Sequence, residues 1–261
     1  MRTTLVILFA SVMALAQPAA NRALAEVKPV TRELSAGALK YRATTGMLPL
    51  KNDAGVIEAN LFYVAYTKLP ETAGRPLTFC FNGGPGAGSL WLHVGAIGPK
   101  RVKMNDDGSM PPAPYALVDN SATWLEQSDL VFIDPVGTGY SRARDAETAK
   151  KFFGLKGDTE SVGQFIRLYL GMAQRWTSPL YVAGESYGTT RASSLTQWLV
   201  DHGIALNGTM LISTIMNFQT ARFARGNDLP YALFLPTYTA MLGLREILVR
   251  RGAAEAFWHD S

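Results

Sequence analysis

One stretch limits what this chain can fold into more than any other, SPLYVAGESYGTTRASSLTQWLVDH at residues 178–202. An apolar run of strand length at 180–183 leads into a G-x-S-x-G pentapeptide, and a helical pattern follows. The apolar face of that helix carries Ala192, Leu195, Trp198 and Leu199. This order predicts a sharp turn with Ser186 at a helix N-terminus, where backbone N–H groups stabilise a developing oxyanion. Ser186 is therefore a candidate nucleophile, although the pentapeptide without its flanks is also typical of an ordinary loop.

A glycine-rich loop, NGGPGAGS at residues 82–89, is the second informative feature. It lacks the Gly-Lys-Ser/Thr ending of a phosphate-binding loop and the spacing of a dinucleotide-binding loop. The loop directly follows the apolar run LTFCF, and in an α/β-hydrolase fold this position supplies the second oxyanion donor. Gly83 and Gly84 allow a backbone amide to approach a substrate carbonyl that a side chain would obstruct. The alternative interpretation is a flexible loop without a chemical role.

Alternating strand and helix patterns predict an α/β chain with a central, mostly parallel sheet. Residues 27–50 indicate irregular strands and residues 56–66 a clearer strand. DLVFID at 129–134 indicates a buried parallel strand, and PVGTGYSR forms the turn at its carboxyl end, where open α/β sheets build their sites. Residues 208–215 predict one further strand.

Two regions carry helical patterns besides the one after Ser186. Asp158 is expected to cap a helix whose apolar positions recur at i, i+3, i+4 and i+7. That apolar face consists of Val162, Phe165, Ile166, Tyr169, Leu170 and Ala173. From Arg222 the composition changes, and Pro230 and Pro236 predict short helical pieces that begin a cap over the sheet.

The N-terminus has the pattern of a secretory signal, with Arg2, an apolar stretch at 5–16 and ALA before Glu26. The stretch is shorter than the about 20 residues that span a bilayer, so export to the periplasm or medium is expected, without stable membrane insertion after cleavage. Cys80 is the single cysteine, which excludes an intrachain disulfide, and is interpreted as a buried hydrophobe. The predicted organisation is a signal peptide at 1–25, the N-terminal part of a catalytic domain at 26–221 and the start of a cap at 222–261.

Charge and spacing exclude other classes. The net charge of +4 comes from scattered basic residues without a basic stripe, which disfavours nucleic acid as a partner. No metal-ligand spacing or cofactor motif occurs in the sequence, so neither a metal nor a cofactor is expected. The oligomeric state is left open.

Four motifs together resemble the serine carboxypeptidase family of α/β-hydrolases. They are FNGGPGAGSL, the Gly-Pro at 98–99, FIDPVGTGYSR and GESYG, in that order, and the resemblance covers roughly residues 55–240. It implies metal-free release of C-terminal residues from peptides or proteins through an acyl-enzyme on Ser186. It further implies that the backbone N–H groups of Gly84 and Tyr187 form the oxyanion hole. Asn82, Gly83 and Glu185 would bind the substrate's terminal carboxylate, with Glu185 protonated so that it donates a hydrogen bond.

The chain departs from the family pattern at several positions. The family's tryptophan before the asparagine falls on Cys80, and its cysteine after NGGPG falls on Ala87. The acid that pairs with the glutamate falls on Ala96, which weakens the expectation of a protonated Glu185. Thr189 stands where the elbow often has a second glycine.

The triad partners of the nucleophile are the largest departure. In this fold they follow the serine in the order acid, then histidine. The histidines are His93, His202 and His259, and each is expected to be structural or exposed to solvent. The catalytic acid and base are therefore expected beyond the end of this sequence, which would leave little activity and an uncovered edge strand near Met210.

Three functions remain open at this point. The first is the serine carboxypeptidase-like hydrolase, inactive or weakly active as given. The second is an acyltransferase or esterase on the same fold, which would share Ser186. The third is a non-catalytic protein that holds peptide C-termini with the glycine-rich loop and Glu185.

Overall fold

The computed structural model describes residues 27–250, with side chains as far as residue 243. The predicted signal peptide and His259 lie outside these residues. The strands are β1 (Val30–Ala36), β2 (Leu39–Lys51), β3 (Ile57–Lys68), β4 (Leu77–Phe81), β5 (Lys100–Val102), β6 (Leu117–Asp119), β7 (Asp129–Ile133), β8 (Arg142–Ala143), β9 (Leu180–Glu185) and β10 (Gly208–Ile212). The helices are α1 (Leu90–Leu92), α2 (Ala146–Ala149), α3 (Leu155–Ala173), α4 (Tyr187–Asp201) and α5 (Leu229–Arg250).

The main sheet has the strand order β1-β2-β3-β7-β4-β9-β10, with β8 paired to β3. The last four strands of this order are parallel, while β1, β2 and β3 form an antiparallel meander that joins β7 antiparallel. A two-stranded sheet of β5 and β6 lies apart. The predicted α/β class is confirmed, and the parallel half carries the elbow at the carboxyl end of β9, because parallel strands present their loops at one edge.

Apolar side chains cover both faces of the sheet. On one face α3 and α4 bury a large core that includes Phe79, Phe165 and Leu195. The predicted apolar face of α3 is confirmed, since its residues from Val162 to Leu170 are buried. On the other face a smaller core surrounds Phe132 and Cys80, whose thiol is fully buried as predicted. Burial raises the pKa of this thiol, which makes it a poor nucleophile.

The structure corrects three expectations about local structure: the helix cap at Asp158 is wrong, while the strands at 27–50 and 208–215 are present but differ in regularity or bounds. The strands expected to be irregular form a regular antiparallel hairpin, in which every residue of β1 pairs with β2 without a bulge. β2 also pairs with β3 over most of its length, which holds the hairpin on the main sheet. The helix α3 begins at Leu155, so Asp158 is inside its first turn and its carboxylate bonds to side chains of α4. The strand β10 ends at Ile212, because Ser213 takes a left-handed φ of 52° that turns the chain away.

Helix α5 also differs from the expectation of short pieces. It runs without a break from Leu229 to Arg250, with Pro236 inside it. Pro230 occupies the first turn, where a missing N–H costs nothing, and one interior proline removes a single helical hydrogen bond. Many α5 side chains are exposed, among them Leu233, Leu235 and Met241.

Neither a membrane-spanning helix nor a metal-binding cluster is found in the part of the chain that the structure describes. None of its helices combines the length and the apolarity needed to cross a membrane. No group of three or more His, Cys, Asp or Glu side chains is arranged there to hold a metal ion.

Candidate active site

The elbow around Ser186 is a strained turn between β9 and α4. Ser186 has φ 59° and ψ −126°, a conformation that costs a non-glycine residue about 1–3 kcal/mol and therefore needs support from its surroundings. Its N–H donates to the Ile212 carbonyl at 2.9 Å, and its carbonyl accepts from the Thr189 N–H at 2.9 Å and from Thr189 Oγ1 at 2.7 Å. A Cβ on Gly184 would lie 2.5 Å from the Gly188 carbonyl carbon, so glycine is sterically required at position 184.

The glycine-rich loop packs against this elbow through its main chain. A Cβ on Gly83 would collide with the Tyr187 nitrogen and would lie 2.6 Å from the Glu185 oxygen and 2.7 Å from the Gly188 nitrogen. Gly84 follows in an exposed position with φ 105°, which only glycine adopts readily. The structure thus brings the loop to the amino end of α4, where unpaired backbone N–H groups stabilise negative charge.

Asn82 and Glu185 form a polar pair beside the elbow. Asn82 is buried, and its Nδ2 donates to Glu185 Oε2 at 3.0 Å, while its Oδ1 accepts from the Leu92 N–H at 3.0 Å. The bond from Leu92 fixes the orientation of the amide, because the amide oxygen must face that N–H. In this contact Glu185 accepts a hydrogen bond, and its side chain remains half-buried next to Ser186.

A second acid, Asp134, fastens the far end of the glycine-rich loop. Its Oδ1 accepts from the Ser89 N–H at 2.8 Å, and its Oδ2 accepts from the Tyr140 N–H at 3.2 Å. The Ser141 hydroxyl donates to the Asp134 carbonyl at 2.6 Å. Gly139 lies so close to this carboxylate that no side chain fits there. The predicted turn at 135–142 therefore supports the loop rather than forming a separate site.

A buried ion pair, Asp158–Arg191, lies behind the elbow and was not predicted from the sequence. Arg191 is 1% exposed, and its Nε donates to Asp158 Oδ2 at 2.8 Å. Its Nη1 donates to the Asn82 carbonyl at 2.7 Å, and the Tyr187 hydroxyl donates to Asp158 Oδ2 at 3.0 Å. Burial and the neighbouring carboxylate raise the pKa of Tyr187 to about 12.

A sequence signal for this pair does exist. Arg191 shares the apolar stripe of α4 with Leu195 and Trp198, at spacings of four and seven residues. Asp158 likewise precedes Val162 by four residues on the stripe of α3. A charged residue on each of two buried stripes predicts that the two meet, because an unpaired buried charge is costly.

The two described histidines contact other groups. His93 Nε2 and the Tyr66 hydroxyl are 2.6 Å apart, and the ring stacks on Phe132. Burial lowers the pKa of His93 to about 4. His202 directly follows the last residue of α4 and stacks on Trp198, about 24 Å along the helix axis from Ser186. Within the described side chains, none accepts a hydrogen bond from Ser186 Oγ.

Comparisons with known proteins agree on one family. A family model described as serine carboxypeptidase matches residues 36–225. Serine carboxypeptidase-like 29 from Arabidopsis thaliana is 28% identical over 148 residues, which cover 54% of this chain and 28% of that protein. The pheromone-processing carboxypeptidase KEX1 from Metarhizium robertsii is 29% identical over 161 residues, which cover 59% of this chain and 24% of that protein.

A solved structure is similar in fold as well. The crystal structure of KEX1, a prohormone-processing carboxypeptidase from Saccharomyces cerevisiae, matches with a TM-score of 0.52 and 25% identity, covering 65% of this chain and 38% of that one. The fold is that of the α/β-hydrolases, as predicted. The chain spans well under half the length of each of these three proteins.

Proposed function

The chain belongs to the serine carboxypeptidase family, and from that membership we propose that it supplies the nucleophile, the oxyanion donors and the carboxylate-binding residues of a peptidase. The reaction releases C-terminal residues through an acyl-enzyme. One observation carries the proposal: the backbone of Gly83 lies against the Tyr187 nitrogen, directly beside the strained Ser186. This contact joins the glycine-rich loop to the amino end of α4 beside Ser186, the proposed nucleophile.

The proposed chemistry follows from these positions. Ser186 Oγ attacks the scissile carbonyl, and the carbonyl oxygen becomes an oxyanion that accepts hydrogen bonds from the N–H groups of Gly84 and Tyr187. Removal of one such donor costs about 10²–10³ in rate in other enzymes, so two convergent donors are a large part of the rate enhancement. No described side chain accepts a hydrogen bond from the Ser186 hydroxyl, and a serine hydroxyl without a base is a weak nucleophile, so reaction through the described residues alone is expected to be slow.

The terminal carboxylate of a peptide substrate has a proposed binding site beside the nucleophile. Asn82, Gly83 and Glu185 adjoin the nucleophile on the side of β4, and Asn82 is held in one orientation by Leu92 and Glu185. We expect the terminal carboxylate of a peptide to bind to the Gly83 N–H and to these two side chains.

A fluorophosphonate probe tests the nucleophile. Incubation of the chain with the probe, followed by peptide mapping, should place the adduct on Ser186. The Ser186→Ala variant is the negative control, and Ser193→Ala on the same helix is the matched control, since its hydroxyl bonds only within α4 and to Met216. Labelling elsewhere, or equal labelling of the Ser186→Ala variant, would contradict the assignment.

Matched substrates separate the alternatives. Peptides with a free C-terminus should bind, and their amidated forms should not. Cleavage of esters without cleavage of peptides, or transfer to an added alcohol, would favour the esterase or acyltransferase. Carboxylate-dependent binding with no labelling of Ser186 would favour the non-catalytic protein.

Export of the chain is also part of the proposal. It is supported by the signal pattern at residues 1–25. Expression with the native N-terminus, cell fractionation and N-terminal sequencing should give a mature protein that begins near Glu26. Recovery of intact Met1 in the cytoplasmic fraction would contradict export.

A further inference from the structure

We infer that the buried Asp158–Arg191 pair is a positioning device that sets both oxyanion donors at once, an inference that depends on the proposed function. Each partner contacts a different donor segment. Arg191 holds the Asn82 carbonyl, and Asp158 holds the Tyr187 hydroxyl. The pair therefore lies between the loop that contains Gly84 and the helix turn that begins with Tyr187.

The contact at Asn82 orients the loop. The Asn82 carbonyl and the Gly83 N–H belong to one rigid peptide plane, one unit before the proposed Gly84 donor. The bond of 2.7 Å from Arg191 Nη1 fixes the rotation of that plane. This is the same plane that meets the elbow backbone at Gly83, so a small rotation would move the Gly84 N–H away from the substrate.

The contacts at Tyr187 orient the other donor. The Arg191 guanidinium lies 5.2 Å from the centre of the Tyr187 ring and 5.1 Å from that of Phe81. The Tyr187 hydroxyl reaches the same Asp158 oxygen that accepts from Arg191 Nε. The ring and the hydroxyl of Tyr187 are thereby both contacted, and its backbone nitrogen lies against Gly83.

The planar guanidinium is essential to this arrangement. Its Nε and Nη1 point to two acceptors on different elements, a carboxylate on α3 and a carbonyl at the end of β4. A lysine ammonium keeps the charge but lacks the fixed fork, so it cannot serve both acceptors in the same geometry. Arg191→Lys therefore separates the role of charge from the role of orientation.

A matched control lies at the other end of the sheet. Arg175 donates to Asp129 Oδ2, to the Arg75 carbonyl and to Ser178 Oγ, each at 2.7 Å. It is likewise an arginine that bonds a buried aspartate and a main-chain carbonyl, but it lies at the amino ends of the strands. Arg175→Lys should lose comparable contacts without moving the donors.

The test compares wild type, Arg191→Lys and Arg175→Lys at equal folded fraction. We expect Arg191→Lys to lower the rate constant for fluorophosphonate labelling of Ser186 about tenfold to a hundredfold, as for displaced catalytic groups generally. Arg175→Lys should stay within about twofold of wild type, because its contacts are remote from the elbow. Equal rate losses in the two variants, or an Arg191→Lys rate within about twofold of wild type, would overturn the inference.

A second measurement keeps the inference testable without the chemistry. Backbone ¹⁵N order parameters of Gly84 and Tyr187, measured by NMR without probe, should fall in Arg191→Lys and remain unchanged in Arg175→Lys. If wild-type Ser186 does not react but these order parameters change as described, the proposed function fails and the positioning role stands. If Arg191→Lys does not fold, Tyr187→Phe removes only the bond to Asp158 and should still lower the order parameter at residue 187; an unchanged value there would overturn the inference.

Discussion

Asp129 at the amino ends of the parallel strands and Asp158 of α3 near their carboxyl ends are both buried, and they bond to different groups. At the amino ends, Asp129 accepts from Arg75, Arg175 and the Lys68 N–H, so a single carboxylate is enclosed by two guanidinium groups. At the carboxyl ends, Asp158 accepts from one guanidinium and from the hydroxyl of Tyr187. Both aspartates are largely buried, but only the second is linked to residues beside Ser186.

This difference predicts that the Asp129 cluster contributes mainly to stability, whereas the Asp158–Arg191 pair contributes mainly to the position of the proposed donors. The Asp129 cluster joins the starts of β4, β7 and β9, and none of its members adjoins the elbow. Its disruption should therefore lower the free energy of unfolding. The molecules that remain folded should keep the geometry of the elbow. The Asp158 pair contacts main chain and side chain at the proposed donors, so its disruption should affect reactivity beyond any loss of stability.

Gly83→Ala should have the largest effect on stability and labelling together. It tests whether the site at the carboxyl ends of the parallel strands depends on backbone contacts. The added Cβ meets three backbone atoms of the elbow, so we expect about 3 kcal/mol or more of destabilisation and no detectable labelling of Ser186. Urea denaturation and the fluorophosphonate assay measure the two effects. Gly95→Ala is the control, because nothing lies within 4 Å of its Cβ. Normal labelling of Gly83→Ala would show that the loop and elbow are not in contact as described.

Asp129→Asn tests the amino end. Removal of this charge leaves two arginines without their carboxylate, so the free energy of unfolding should fall by about 3–5 kcal/mol. Ser186 labelling at equal folded fraction should remain within about twofold of wild type. The exposed Glu147, paired with Lys150, provides the control Glu147→Gln, expected to change stability by less than about 1 kcal/mol. A selective loss of labelling in Asp129→Asn would remove the distinction between the two ends.

Thr189→Val tests how far the strained backbone of Ser186 depends on the hydrogen bonds of the Thr189 hydroxyl. The Thr189 hydroxyl donates to the Ser186 carbonyl and accepts from the Ile215 N–H at 2.9 Å. Valine therefore leaves the Ile215 N–H unpaired and leaves the Ser186 carbonyl with only the bond from the Thr189 N–H. We expect about 2–3 kcal/mol of destabilisation and about tenfold slower labelling. Thr196→Val, on the same helix but bonded to the Ala192 carbonyl, should cost less and leave labelling unchanged. Equal effects of the two substitutions would argue against a special role of Thr189.

The smallest expected effect concerns pH and involves neither aspartate. Because the pKa of His93 is about 4 in the folded protein and about 6.5 when unfolded, the unfolded chain binds the proton first. The associated stability is present above about pH 6.5 and is lost as the pH falls toward 4, by about 2 kcal/mol between pH 7 and pH 5. Urea denaturation across this range should show the loss in wild type and not in His93→Gln. Parallel curves for the two proteins would place the proton uptake elsewhere.

The sequence predicted those parts of the fold and the site that depend on local order. The strand before Ser186, the helix after it and the apolar stripes of α3 and α4 are readable from periodicity, because neighbouring residues determine them. The interpretation of Asp158 as a helix cap was wrong, since its partner Arg191 lies 33 residues away and only packing of α3 on α4 brings them together. The continuous helix through Pro236 and the end of β10 at Ile212 also depend on tertiary context.

The contact between Gly83 and the elbow consists of main chain on both sides, and Gly188 in turn lies 3.0 Å, measured from its ideal Cβ, from the Phe81 carbonyl. No side chain takes part in this contact, so a substitution cannot adjust the distance between the two backbones gradually and can only disrupt the contact. A mutational scan should find almost no tolerance at these two glycines and wide tolerance at exposed neighbours such as Trp91 and Tyr140. Variation aimed at the proposed substrate preference should therefore be directed to these exposed residues, and the contact between Gly83 and the elbow should be left unchanged.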